Sequence, residues 1–137
     1  MVKLIMGLQG SGKTKRLVDM VREALAMENG DVVVIEKEKN LTYDIPYQAR
    51  LIQAGAYGVG SYEFIKGFIC GLHSGNYDIA HVYIDSFYKL VGSKDPVPFG
   101  EFLDWLDKFS KEQKIEFVIS VSSAPDEVGE AIRKYMI

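Results

Sequence analysis

Eight residues, Gly7-Leu8-Gln9-Gly10-Ser11-Gly12-Lys13-Thr14, constrain this chain more than any others. They complete a G-x-x-x-x-G-K-[ST] run. It lies between a β-prone stretch, Val2-Lys3-Leu4-Ile5-Met6, and a segment whose apolar residues Leu17, Val18, Val21, Ala24 and Leu25 recur at helical spacing. A strand must therefore pass into a helix through a glycine-rich turn. Lacking a Cβ, glycine reaches backbone conformations closed to other residues, so successive N–H groups can face inward around an anion. Lys13 adds a mobile charge suited to β- and γ-phosphates, Thr14 a hydroxyl suited to Mg²⁺, and the helix aims its positive dipole end at the same place. The motif predicts that Gly7, Gln9, Gly10, Ser11, Gly12, Lys13 and Thr14 bind the phosphates of a nucleotide.

The chain is 137 residues long, which suits one domain (1–137) with a real core and leaves little room for large substrate-binding insertions. With 47% hydrophobic and 26% charged residues it reads as an ordinary globular chain rather than a disordered one. A formal charge of −3 provides no broad basic field, so constitutive nucleic-acid binding is not expected, although a local patch stays open. The single cysteine, Cys70, lies among Phe68, Ile69 and Leu72 on a helical pattern and is expected to be a buried structural thiol. No stretch has the form of a signal peptide or membrane span, so the expectation is an unanchored cytoplasmic protein.

Beyond the loop, the first helix is expected to end near Asn29-Gly30, with Gly30 as its left-handed cap. Val32-Val33-Val34-Ile35 reads as a strand buried on both faces, joined to the first by a right-handed parallel crossover. Residues 36–57 show no clear period and are expected to be a loop with one helical turn, with disorder or a helix over 47–54 as the alternative, and a short strand at 56–59. Ser61 has N-cap character before a helix bearing Phe64, Ile65, Phe68, Ile69 and Leu72. Ile79 to Ile84 forms an apolar strand that finishes in Asp85. In an open parallel sheet, ligands sit beyond the carboxyl ends of the strands, so Asp85 is placed to share Mg²⁺ with Thr14. Phe99, Phe102, Leu103, Leu106 and Phe109 mark another core-facing helix, and 117–121 a further strand. Ser123-Ala124-Pro125-Asp126 has capping-box character and predicts a terminal helix to Tyr135.

The loop, the acid-ended strand and this element order resemble the P-loop NTPase superfamily. The Ile84-Asp85-Ser86 strand end is similar to the RecA-like branch, as in a small single-domain member. That resemblance implies a three-layer α/β fold, with a four- to five-stranded, mainly parallel sheet flanked by helices. It also implies that the strand carrying Ser120 and Ser122 lies between the loop strand and the acid strand. The ligand would be ATP or ADP with Mg²⁺, since no guanine-reading Asn-Lys-x-Asp or Thr-Lys-x-Asp run is present. Many relatives place a glutamate directly after the acid, where this chain has Ser86. RecA-like proteins can place it after the second strand instead, where Glu36 and Glu38 stand, as catalytic groups alongside Lys13 or as plain surface carboxylates.

Three functions follow: a slow Mg-dependent ATP hydrolase acting as a switch, a small-molecule or nucleoside kinase with its acceptor among residues 36–62, and a nucleotide-binding regulatory module that does not turn over. Efficient hydrolysis needs positive charge beyond Lys13. Arg16 and Arg22 lie on turns leading away from the loop, so Arg50 or Arg133, donated by a second copy or a partner protein, is the candidate. Solvated surface charge is the alternative for both. His73 and His81 have no cysteine partners at metal-binding spacing and are expected to be structural. Tyr43, Tyr47, Tyr57 and Tyr62 are expected to be half-buried packing residues, with base stacking the alternative.

Overall fold

The computed structural model describes residues Met1–Ile137. Five strands form one all-parallel sheet: β1 (Val2–Gly7), β2 (Asp31–Glu36), β3 (Arg50–Gln53), β4 (Ile79–Ile84) and β5 (Glu116–Ser122), in spatial order β1-β5-β4-β2-β3. The helices are α1 (Lys13–Met27), α2 (Tyr62–Gly75), α3 (Phe87–Val91), α4 (Pro96–Gln113) and α5 (Glu130–Arg133). No helix is long and apolar enough to cross a membrane.

The continuous apolar run in β2 is explained by the two cores. Alternate side chains of a strand point to opposite faces. Val33 and Ile35 join the larger core beneath α2, α3 and α4, while Val32 and Val34 join the smaller one beneath α1. In that smaller core Leu17, Val18, Val21 and Ala24 meet the sheet, and Leu41, Ile45 and Ala49 of the following loop complete it. The three layers are therefore α1 with this loop, the sheet, and the remaining helices. The expected strand from Phe117 does lie between the loop strand and the acid strand.

Several local expectations are corrected. Residues 50–53 form an edge strand instead of loop or helix, and Ala54–Tyr57 is a single 3-10 turn instead of the start of a strand. Leu51 and Ile52 alone carry too little pattern to announce a strand; pairing with β2 makes it one. Glu28, with φ 52°, holds the left-handed cap of α1. Gly30 serves a different need, since a Cβ there would lie 2.5 Å from the Cβ of Ala80 as the chain enters β2. Ser61 does cap α2, its hydroxyl accepting from the Phe64 amide at 3.1 Å. Cys70 is exposed, on the outer side of a helix that buries Ile65 and Ile69. Tyr43, Tyr47 and Tyr57 are exposed too, and of the four tyrosines only Tyr62 packs inward, against Phe87 and Phe102.

The single terminal helix is likewise broken into a 3-10 turn at Pro125–Glu127 and the short α5. Ser123 does not cap it through a backbone amide; its hydroxyl reaches Glu127 Oε2 at 3.4 Å. Val128 is buried in extended conformation between the two pieces, which interrupts the helix. The chain then returns along β1, where the Leu4 amide donates to Tyr135 O at 2.8 Å and the Ile137 amide to Leu4 O at 2.9 Å.

Candidate functional site

The loop between β1 and α1 sits at the carboxyl edge of the sheet. Gly10 and Gly12 have φ of 83° and 86°, in the left-handed region that the motif's glycines were expected to supply. Gly12 is the N-cap of α1, with no side chain capping the first turn and no acid within it. The amides of Gly10, Gly12, Lys13, Thr14 and Lys15 consequently donate to no other group of the protein. Unpaired donors at the positive end of a 15-residue helix form an anion-attracting concavity. Ser11 N donates to Leu8 O at 3.1 Å, closing the turn, and Lys13 Nζ lies over the same carbonyl at 2.9 Å.

Three elements converge beside Thr14. Asp85 directly follows β4, and the register Ile84 to Ile119 sets Ser120 of β5 alongside it. Ser120 Oγ donates to Asp85 Oδ1 at 2.6 Å and accepts from the Ser86 amide at 2.8 Å. Thr14 Oγ1 donates to the same carboxylate at 3.2 and 3.3 Å. Asp85 is buried and Ser120 wholly so, and these bonds fix the carboxylate's direction. Ser122, the other serine of that strand, is exposed at the cleft, which is about 420 Å³ in volume and reaches Gln9, Lys13, Thr14 and Lys89.

The structure separates Glu36 from Glu38. Glu36 is buried, and its Oε1 accepts from the amides of Asn40 and Leu41 at 2.9 and 3.1 Å. Its Oε2 accepts from Leu41 N at 3.3 Å and Gln53 Nε2 at 3.1 Å. Three donors, with the Leu41 amide shared between both oxygens, thus hold this carboxylate against the turn that carries Glu38. Glu38 itself is exposed. Both line a second cavity of about 200 Å³ with Asn40, Asp85, Ser86 and Lys89, and no hydrophobic side chain enters it.

The arginines lie elsewhere. Arg16 donates to Ile137 O at 3.2 Å and Arg22 to Asp44 O at 3.0 Å. Arg133 is engaged by Pro125 O and Val128 O, where it ties the carboxyl-terminal turns together. Arg50 is exposed at the start of β3, opposite Val33, three residues before the end that faces the site. His73 meets Gln113 at 3.0 Å and packs edge-on against Phe109, while His81 meets Asn29 at 2.9 Å at the far edge of the sheet. No three His, Cys, Asp or Glu side chains cluster closely enough to hold a metal by themselves.

Lys89 was missed from sequence. It is carried by α3, a five-residue helix whose single apolar-polar-apolar turn has no readable period. A charged residue four places after the acid is the one signal that could have marked it.

No protein-family model and no curated protein matches the chain.

Proposed function

We propose that the chain is a single-domain P-loop NTPase of the RecA-like kind, which binds Mg-ATP or ADP and hydrolyses ATP slowly as a molecular switch. The observation that carries this reading is the set of unpaired amides at Gly10 and Gly12–Lys15 beside the Lys13 ammonium and the fixed Thr14–Asp85–Ser120 chain. An oligophosphate supplies the acceptors those donors lack.

Thr14 and Asp85 fit a magnesium ion, which is commonly held by one or two protein oxygens together with substrate phosphates and waters. When bound, it would neutralise charge on the β- and γ-phosphates. Lys13 would shift from Leu8 O to the phosphates, exchanging a neutral acceptor for an anionic one. Hydrolysis forms a bond from a water oxygen to the γ-phosphorus and breaks the bond from that phosphorus to its bridging oxygen. ADP leaves with the electron pair, and the water's proton passes to a base and then to solvent. Glu38 is assigned that base role, and Glu36 the positioning of its turn, because the oxygens of Glu36 are already engaged. The small cavity at Glu36 and Glu38, lined by no hydrophobic residue, suits water better than an organic acceptor.

One feature favours the kinase reading. A groove of about 370 Å³ runs from Gln9 past Leu8, Tyr88, Lys94, Pro96 and Glu127, mixing apolar surface with charges of both signs and hydroxyls as a small polar acceptor would need. In residues 36–62, by contrast, Leu41, Ile45, Ala49 and Ile52 are committed to the cores. The lone Cys70 thiol, with no disulfide partner, fits a reducing cytoplasm.

Time-resolved phosphate release from Mg-ATP tests the three functions. Free phosphate without acceptor is the expected result. ADP formed only with an added nucleoside or sugar would transfer the assignment to a kinase, and nucleotide binding without ADP would leave a regulatory module.

A further inference from the structure

We infer that Lys89 is the transition-state cation of this site, supplied in cis, so that no partner arginine is needed. The inference rests on the proposal that the loop holds the phosphates of ATP. Four of the five residues of α3, Phe87, Tyr88, Leu90 and Val91, are buried, and Lys89 alone is exposed. The helix is thus pinned to the core while this one side chain stays in solvent. Lys89 lines both the phosphate-loop cleft and the polar cavity of Glu36 and Glu38, where nucleotide and water would meet. Lys37 lines only the polar cavity, and Lys94 lines neither that cavity nor the phosphate-loop cleft, although it shares the adjoining pocket with Lys89, Ser86 and Ser122.

Its charge is also uncommitted. Lys15, the other exposed lysine at the cleft, is paired with Asp19 at 3.1 Å, whereas Lys89 makes no ion pair or side-chain hydrogen bond in the structure. The backbone that places it is unusual. Ser86, at the start of α3, has φ 53°, a left-handed conformation costly for a residue with a Cβ. Its amide is held there by Ser120 Oγ, the same hydroxyl that orients Asp85. One serine therefore couples the direction of the metal-facing carboxylate to the turn that delivers Lys89. Charge grows on the γ-phosphoryl oxygens as the bridging bond stretches, so a cation at the cleft mouth acts most strongly in the transition state.

The test compares wild type with Lys89→Ala, Lys89→Arg and Lys13→Ala. Calorimetry would measure binding of Mg-ADP with and without aluminium fluoride, a γ-phosphoryl mimic, alongside phosphate release. Lys89→Ala is expected to slow release about 10²-fold and to remove the extra affinity conferred by the fluoride, with Mg-ADP affinity kept within about twofold. Lys89→Arg, which keeps the charge, is expected to recover part of both. Unchanged release and fluoride affinity in Lys89→Ala would overturn the inference, as would equal losses with and without fluoride. If wild type bound no nucleotide, or if Lys13→Ala bound it equally well, the loop reading itself would fall and Lys89 with it. A rate per chain that rises with protein concentration and ignores Lys89→Ala would return the role to a partner's arginine.

Discussion

At the amino edge of the sheet stand Lys3 of β1, His81 of β4 and Glu116 of β5; at the carboxyl edge the same three strands end in Gly7, in Ile84 followed by Asp85, and in Ser122. The amino-edge groups engage one another. Lys3 Nζ is 2.6 Å from Glu116 Oε1, and His81 meets Asn29 at 2.9 Å, with Glu116 Oε2 3.8 Å from its other nitrogen. Across the molecule, five amides, Lys89 and the cleft side of Lys13 have no protein partner beyond one carbonyl. Equal polarity thus serves two ends. Where donors and acceptors meet within the chain, as they do at the amino edge except at the buried His81 Nδ1, the edge contributes to stability, whereas a row of leftover donors is open to an acceptor from outside.

The largest expected effect tests whether the leftover donors are for a ligand. Lys13→Ala removes a charge-assisted phosphate contact worth about 2 kcal/mol or more, so ATP affinity should fall about 30-fold or beyond. Its only internal partner is the exposed Leu8 carbonyl, so the unfolding free energy should change by no more than the usual surface-mutation range of about 0.5 kcal/mol. Unfolding calorimetry and ATP titration check both halves. The reverse pattern, lost stability with intact affinity, would erase the contrast between the edges.

The next effect lies where the two kinds of edge meet. Ser120 is fully buried on β5 yet serves the site, satisfying Asp85 and the strained Ser86 amide together. Ser120→Ala leaves that amide and one carboxylate oxygen short of a partner, at about 1–3 kcal/mol of stability. It should also weaken the magnesium-dependent part of ATP binding, read by titration with and without the metal. Loss of stability alone would assign Ser120 to the core rather than to the site.

How much of this was legible follows from how local each signal is. The glycine turn between β1 and α1 was readable because spacing within eight residues dictates it, and the place of Asp85 at the end of β4 because an apolar run ending in an acid is itself a local pattern. The position of β5 between β1 and β4 followed from resemblance, since nothing within its own seven residues states its neighbours. Glu36 and Glu38 were indistinguishable in sequence, because their difference depends on Gln53, seventeen residues on, and on the turn at Asn40 and Leu41. β3 and Lys89 were unreadable for the same reason: four strand residues and five helical ones are too few for a period, and tertiary pairing or burial determines them. Cys70 was misplaced because its helix fully buries only a narrow stripe, Ile65 and Ile69, and leaves even Phe64 43% exposed.

The smallest effect is a pH dependence confined to the matched edge. Burial lowers the His81 pKa below its ordinary 6.5, outweighing the pull of Glu116, so the folded protein holds the ring neutral where the unfolded chain would protonate it. The unfolded state then binds more protons as the pH falls below 6.5, and stability drops with it until the folded-state value is passed. Glu116 acts in the same sense lower on the scale. Its hydrogen bond and charge attraction to Lys3 depress its pKa from 4.5, so its contribution is complete above that value and is lost through the depressed one. The groups around this ring are Glu116 from the neighbouring β5, Lys3 beyond it on β1, Asn29 from the segment after α1, and Tyr83 stacked along its own strand. Replacing His81 by Gln keeps a polar partner for Asn29 and removes the titration. Between pH 7 and 5, wild type is expected to lose melting temperature and His81→Gln to lose less, while ATP affinity of the two at pH 7 is equal because the ring lies at the opposite edge from Lys13. An equally steep loss in the variant would place the acid sensitivity in other groups, and a change in ATP affinity would show that the two edges are coupled through β4.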